Sequence, residues 1–131
     1  MPPLTRIICL ANSRKNGERC IAGIDPTTGA WIRPVSAHDD GRVDRATRLI
    51  NGREPELGDV LEIPLATTGP DFGFECENRW ILPGTWASPS ICPLSEIRMR
   101  VDASPLALHT NDNFVTVEYL KSLPFHKRQT L

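Results

Sequence analysis

Long apolar runs are the first thing this 131-residue chain lacks. None approaches the roughly 20 residues that a membrane-spanning helix requires. Five consecutive apolar residues, Ile7 to Ala11, precede polar Asn12, too few for the apolar region of a signal peptide. A reducing cytosol is therefore the expected compartment, with thiols free. The four cysteines, Cys9, Cys20, Cys76 and Cys92, form no Cys-x-x-Cys pair and have no histidine at metal-finger distance, so they read as core thiols and not as a zinc site. Also missing are a Gly-x-Gly-x-x-Gly loop, a P-loop and the Gly-x-Ser-x-Gly elbow that would activate a serine such as Ser13. Cys9 sits inside an apolar run, where a thiolate is disfavoured. His38-Asp39-Asp40 offers at most three ligands on one loop, and nothing brings His109 or His126 to it. We therefore expect no metal and no cofactor.

Twelve prolines and nine glycines interrupt the chain so often that no helical period runs for long, which favours short strands and turns. With 40% hydrophobic residues the length suits one domain, mainly β with one or two short helices. The formal net charge of −1 hides a split. Residues 1–53 carry nine Arg or Lys against five Asp or Glu, and 54–131 carry six against eleven, leaving +4 and −5. A basic half within a neutral chain points to a local electrostatic footprint for an anion such as nucleic acid, confined to one groove.

Three apolar runs, Ile7 to Leu10, Cys20 to Ile24 and Trp31 to Val35, alternate with polar, basic loops and predict a β-meander over residues 6–36. If the first two form a hairpin across a loop from Asn12 to Glu18, Cys9 lies nearly opposite Cys20. Arg45, Arg48 and Leu49 fall at helical spacing and predict a short turn of helix. A strand over Val60 to Leu65 follows the Gly58-Asp59 turn signal, with Pro64 confining its far end to an edge or bulge. Residues 66–77 read as loop and Trp80 to Leu82 as a short strand stopped by Pro83-Gly84. From Thr85 to Asn113 no period is clear, and Ser95 to Val101 fits either a strand or a helical turn. Thr116 suits an N-cap for a helix through Leu123, stopped by Pro124.

The string Ile8-Cys9-Leu10-Ala11-Asn12-Ser13-Arg14-Lys15, followed by Gly17, Arg19-Cys20-Ile21-Ala22-Gly23 and Trp31-Ile32-Arg33-Pro34-Val35-Ser36, resembles the N-terminal half of the bacterial dual OB-containing domain family. Gly58-Asp59-Val60, Glu62-Ile63-Pro64-Leu65, Glu77-Asn78 and Tyr119-Leu120 through Leu123-Pro124 are similar to it as well, whereas residues 86–110 match none of these motifs. The resemblance implies a small OB-like Greek-key β-barrel over residues 1–122. It also implies a charged connector, 123–131, toward a second barrel that does not follow, so the chain reads as a fragment with apolar surface near Phe125. Such barrels commonly bind single strands across strands 2 and 3 and the flanking loops.

The candidate contacts are Asn12, Ser13, Arg14, Lys15, Arg19, Trp31, Arg33 and Ser36. The first four would occupy the loop joining strands 1 and 2, where polar donors and adjacent cations suit a phosphate, or form a merely solvated turn. Alternation places Trp31 and Arg33 on one strand face, so an indole and a guanidinium could meet a base and its phosphate. Equally, Trp31 could be a core anchor and Arg33 a salt-bridge partner of Asp25 or Asp59. Arg19 stands under the same two readings, and Ser36 closes the third motif. The leading expectation is a non-catalytic, cytoplasmic nucleic-acid-binding module. The alternatives are a protein-interaction module of a larger assembly and a nucleotide-processing enzyme, for which only His38 speaks.

Overall fold

A computed structural model describes residues 3–73, 75–93, 95–96 and 117–127. Strand β1 spans Leu4–Lys15, β2 Glu18–Ile24 and β3 Trp31–Val35, followed by helix α1 at Arg45–Arg48. Then come β4 at Asp59–Pro64, β5 at Asn78–Trp80, β6 at Ala87–Ile91 and helix α2 at Val117–Ser122, with a 3-10 turn at Phe125–Lys127. The protein is mainly β, as its proline and glycine content predicts.

The sheet order is β5-β3-β2-β1-β4-β6. Three consecutive antiparallel strands are joined by a fourth that returns beside the first, which is the Greek-key arrangement. β5 adds to β3 in parallel. Beyond Pro64 a single bridge, Leu65 to Ile81, joins the end of β4 to β5, backed by Ala66 N–H to the Trp80 carbonyl and Leu82 N–H to the Pro64 carbonyl, each 2.9 Å. That link is a bridge and not a ladder, so the sheet is OB-like but not continuously closed.

β1 is longer than its apolar run because it serves two neighbours. Leu4 to Ile8 pair with β4, and Ile8 to Lys15 pair with β2. A bulge between Cys9 and Ala11 bends the strand where the partners change over. Across from it lies Gly23, where a Cβ would stand 2.0 Å from the Ile8 carbonyl oxygen. Alternation along the strand sorts the side chains. Ile7 and Cys9 enter the main core with Ile21, Ile32, Val43, Leu61, Ile63, Leu65 and Trp86. Ile8 and Ile24 pack on the opposite face with Cys92, flanked by Leu10, Trp31 and Val60. Each fully buried Ile or Leu contributes about 1.5–3 kcal/mol. Burial also pushes the Cys9 thiol up to about 11.

Three expectations need correction. The predicted Asn12–Glu18 loop is strand on both sides of a two-residue turn, Asn16-Gly17, with φ of +49° and +84°. Asn-Gly supplies both positive φ values of a twist-compatible hairpin turn. The register consequently places Ser13, not Cys9, opposite Cys20, while Cys9 faces Gly23, and all four cysteines are free. β6 falls in the stretch without a clear pattern. Ala87-Ser88-Pro89-Ser90-Ile91 looks like a turn, but as an edge strand it tolerates Pro89 within an irregularity of its pairing with β4. The strand ends shift as well, to Asp59–Pro64 and to Asn78–Trp80. Helix α2 lies where Pro124 and the apolar spacing put it, whereas Thr116 and residues 97–101 lie outside the described residues.

Replacing Gly23 by Ala should destabilise the fold by about 3 kcal/mol or more, since backbone must move to admit the methyl. Gly29→Ala, with φ of +75° but open space around it, should cost only about 1–2 kcal/mol. Urea unfolding midpoints of the two variants separate close packing from backbone strain.

Candidate nucleic-acid interface

The β1–β2 hairpin extends past β4, and its register fixes what its end presents. Asn12 stands opposite Ile21 and Arg14 opposite Arg19, all on the face that carries Cys9 into the core. Ser13, Lys15, Glu18 and Cys20 take the other face. Ser13 and Arg14 are exposed and Lys15 half-buried. Neither Arg14, Lys15 nor Arg19 makes an ion pair among the described residues. Cross-strand partners stand about 5 Å apart at Cβ, and like charges so placed repel.

Beneath these cations the hairpin is fastened to the rest of the molecule by Arg48. Its guanidinium is 5% exposed and takes Glu54 in a fork, Nε to Oε1 at 2.8 Å and the terminal nitrogen to Oε2 at 2.8 Å. The other terminal nitrogen donates to Glu18 Oε1 at 2.6 Å and to the Val43 carbonyl at 2.8 Å. Hydrogen bonds from Arg48 lower both glutamates below the usual carboxylate range, and the Glu54 bond raises Arg48 itself. Asn12 completes the fastening, its amide donating to the Pro55 carbonyl at 2.9 Å and to Glu54 Oε1 at 3.3 Å. Asn12 is thus a strut under the hairpin, its amide nitrogen already engaged. α1 aims Arg48 inward, and the Arg45 N–H donates to Glu18 Oε1 at 3.1 Å.

The loop from Ser36 to Asp44 docks against the hairpin turn. Ser36 Oγ donates to the Arg42 carbonyl and accepts from His38 N–H at 3.2 Å. Asp40 accepts from the Asn16 amide, which chiefly holds its carboxyl down to about 2, and from Arg42 at 3.0 Å. His38 Nε2 lies 2.8 Å from Asp44 Oδ1. The His38-Asp39-Asp40 triplet is therefore split, His38 turning to Asp44 while Asp40 takes Asn16 and Arg42.

Trp31 and Arg33 stand elsewhere. Trp31 pairs with Ile24, five residues along β2 from Arg19, a distance of about 17 Å at 3.3 Å per residue. Trp31 is half-buried against the Ile8 and Ile24 cluster. Arg33, with its side chain 11% exposed, is held by Glu75 at 2.6 Å and Glu77 at 3.1 Å, and also donates to Asn78 Oδ1 at 3.0 Å. The carboxylates that hold it are thus neither Asp25 nor Asp59. The structure brings Arg14 and Arg19 together on one face of the hairpin with Lys15 next along the strand on the other, and sets Trp31 with Arg33 at the far end. Sequence reasoning missed the Arg48, Glu18 and Glu54 cluster, whose members are 6 and 30 residues apart in the chain. Only the helical spacing of Arg48 hinted at it.

The family model of the dual OB-containing domain matches residues 5–129. No curated protein and no solved structure matches the chain.

Breaking the Arg48 fastening should be costly, because two carboxylates lose their partner. Arg48→Met is expected to lower stability by about 3 kcal/mol at neutral pH, the low end for buried pairs because both glutamates keep some solvent. Both glutamates have depressed folded values, so their contribution is complete above the ordinary value of 4.5 and fades as the pH falls through the lower folded values. The gap between parent and variant should accordingly narrow in acid, as urea titrations at successive pH values will show.

Proposed function

The chain belongs to the dual OB-containing domain family, and on that premise we propose that it is a non-catalytic OB-type module that binds nucleic acid, in single-stranded form, at the end of the β1–β2 hairpin. The observation that carries this reading is the Arg14–Arg19 cross-strand pair, two guanidiniums directly opposite with Lys15 adjacent and no carboxylate bonded to any of them among the described residues. Such a pair works against folding, and a phosphate placed between its members reverses the sign of the interaction. By contrast, the basic residues with structural work to do, Arg33, Arg42 and Arg48, are neutralised by carboxylates. OB-type folds commonly engage oligonucleotides through the loop between strands 1 and 2 and the surface of strands 2 and 3, where this hairpin lies.

One observation favours a protein partner instead. Leu57 and Ile91, exposed at 67% and 72%, flank the β4–β6 edge where Asp59 pairs with Ile91. Among the described residues no helix is long and apolar enough to cross a membrane.

Fluorescent single-stranded oligonucleotides titrated at several salt concentrations test the reading. The parent should bind at low salt, and an Arg14→Ala/Lys15→Ala/Arg19→Ala variant should bind more weakly, with its log–log salt slope reduced by about 2, or about 0.7 for each phosphate that the variant no longer meets. Equal binding by the folded triple variant, or no binding by the parent at low salt, would discard the hairpin site and leave the Leu57–Ile91 edge as the better interface.

A further inference from the structure

At the far end of the sheet from the hairpin lies a cleft of about 400 Å³, within the size range of small-ligand sites. Trp31 and Phe125 both line it, together with Asp25, Glu75, Thr68 and Arg79. Its chemistry differs from that of the hairpin. Arg79 points its Nε to the Ala66 carbonyl at 2.6 Å and a terminal nitrogen to Thr5 Oγ1 at 3.0 Å, so two of its five N–H donors are tied to the fold and the guanidinium is held toward it. The carboxylates outnumber it. Asp25 turns Oδ1 onto the N–H groups of Thr27 and Thr28, and no hydrogen bond falls on its other oxygen among the described residues. Glu75 receives Arg33 at 2.6 Å and Asn78 at 2.7 Å, both on Oε2, while its Oε1 accepts nothing among the described residues. A phosphate is repelled here. A flat ring with an N–H donor is not, because indole and phenyl walls offer stacking area and a carboxylate oxygen offers an acceptor.

We infer that this cleft is a nucleobase subsite that prefers rings bearing an exocyclic amino group, cytosine or adenine over uracil or thymine, with Trp31 and Phe125 as stacking walls and Glu75 Oε1 accepting the amino hydrogen. A carboxylate accepting from the cytosine amino group is a recognised base contact, and a uracil carbonyl at the same place faces an oxygen instead of a donor. The inference rests on the nucleic-acid reading, since it assigns the base contact of a strand whose phosphates meet Arg14, Lys15 and Arg19. The two ends stand about 17 Å apart along β2, with Arg14 and Arg19 on one face and Trp31 on the other, so a strand that meets both passes round the hairpin end, a path within the 4–16 nucleotides that one OB-type fold covers.

Uncharged nucleosides separate the two sites. Cytidine and adenosine, followed by NMR on the full chain, should shift the Trp31 indole N–H with an affinity at least about fivefold above that of uridine and insensitive to salt, since no phosphate is involved. Phe125→Ala, an exposed position that the core does not need, should weaken every nucleoside about tenfold. Glu75→Gln should bring cytidine and uridine to within about twofold, because the amide presents a donor as well as an acceptor. Salt-dependent oligonucleotide binding without any nucleoside shift at Trp31 overturns the cleft and keeps the hairpin. A nucleoside shift with the expected preference but no oligonucleotide binding keeps the cleft and removes the hairpin. Equal affinity for cytidine and uridine in the parent, or an unchanged affinity in Phe125→Ala, overturns the assignment of Glu75 or of the stacking wall.

Discussion

Everything in this fold hangs on β1 being one strand with two neighbours. A flat strand of 12 residues could not keep Leu4 to Ile8 against β4 and Ile8 to Lys15 against β2 while both sheets curl toward a common core. The bulge between Cys9 and Ala11 supplies the bend, and Gly23 supplies the space for it, since any side chain there would meet the Ile8 carbonyl. Strand alternation sorts Ile7 and Cys9 from Ile8 onto opposite faces, and the bend then turns Asn12 and Arg14 to the face of Cys9. The direction of the hairpin follows too. Freed from β4 at Gly58, whose N–H donates to the Cys9 carbonyl at 2.8 Å, the remainder of β1 carries Arg14, exposed, and Lys15, half-buried, to the hairpin end.

A protruding hairpin of this kind has little core of its own, and Arg48 makes up the difference. It ties Glu18, on β2, to Glu54, in the loop before β4, and to the carbonyl of Val43, so that three segments distant in sequence share one guanidinium. A buried ion pair is an uncertain source of net stability, because desolvation offsets most of the attraction. Its geometry is nonetheless specific: the fork to Glu54 fixes orientation in a way that an apolar residue of equal volume would not. The cluster also consumes the acidic groups nearest the hairpin. Glu18 and Asp40 would otherwise neutralise the cations beside them, yet both are held by the fold itself, the one by Arg48 and the other by Asn16 and Arg42.

What could be read from the sequence divides along the same line. The meander of residues 6–36, the turn of helix at Arg45 to Arg48, the strand after Gly58 and the helix before Pro124 all announce themselves through local pattern, and the structure has each of them. The limits of β1 and β2 are less visible, because Asn12 to Lys15 are polar and look like loop. Strand geometry is imposed on them by pairing with β2, and the Asn16-Gly17 dipeptide was the local signal that the turn is only two residues long. β6 has no local signal, since Ser-Pro-Ser becomes strand only because β4 offers an edge. The candidate site was legible as a charge excess but not as a geometry. Arg33 and Arg14 are equivalent in a count of charge. One is held between Glu75 and Glu77, and the other stands beside Arg19 with no carboxylate bonded to it among the described residues, a difference decided by residues more than 40 positions away in the case of Arg33.

The split of charge between the two halves of the chain therefore does not become a split between two surfaces. The acidic half contributes Glu54, which braces the hairpin from below, and Glu75 and Glu77, which hold Arg33 at the other end of the sheet. These three carboxylates take two basic residues, Arg48 and Arg33, from the pool able to meet a phosphate, and among the described residues Arg14, Lys15 and Arg19 at the hairpin end keep no ion pair. A polyanion meeting this protein finds positive charge at the hairpin and a carboxylate-lined, aromatic-walled cleft about 17 Å away. On the reading proposed above, an extended strand would lay backbone on one end and a base in the other. A compact anion such as a free phosphate satisfies only the first. Under that proposal the two ends would select by length as well as by charge, because the bend in β1 sets the hairpin cations at the opposite end of the sheet from the cleft.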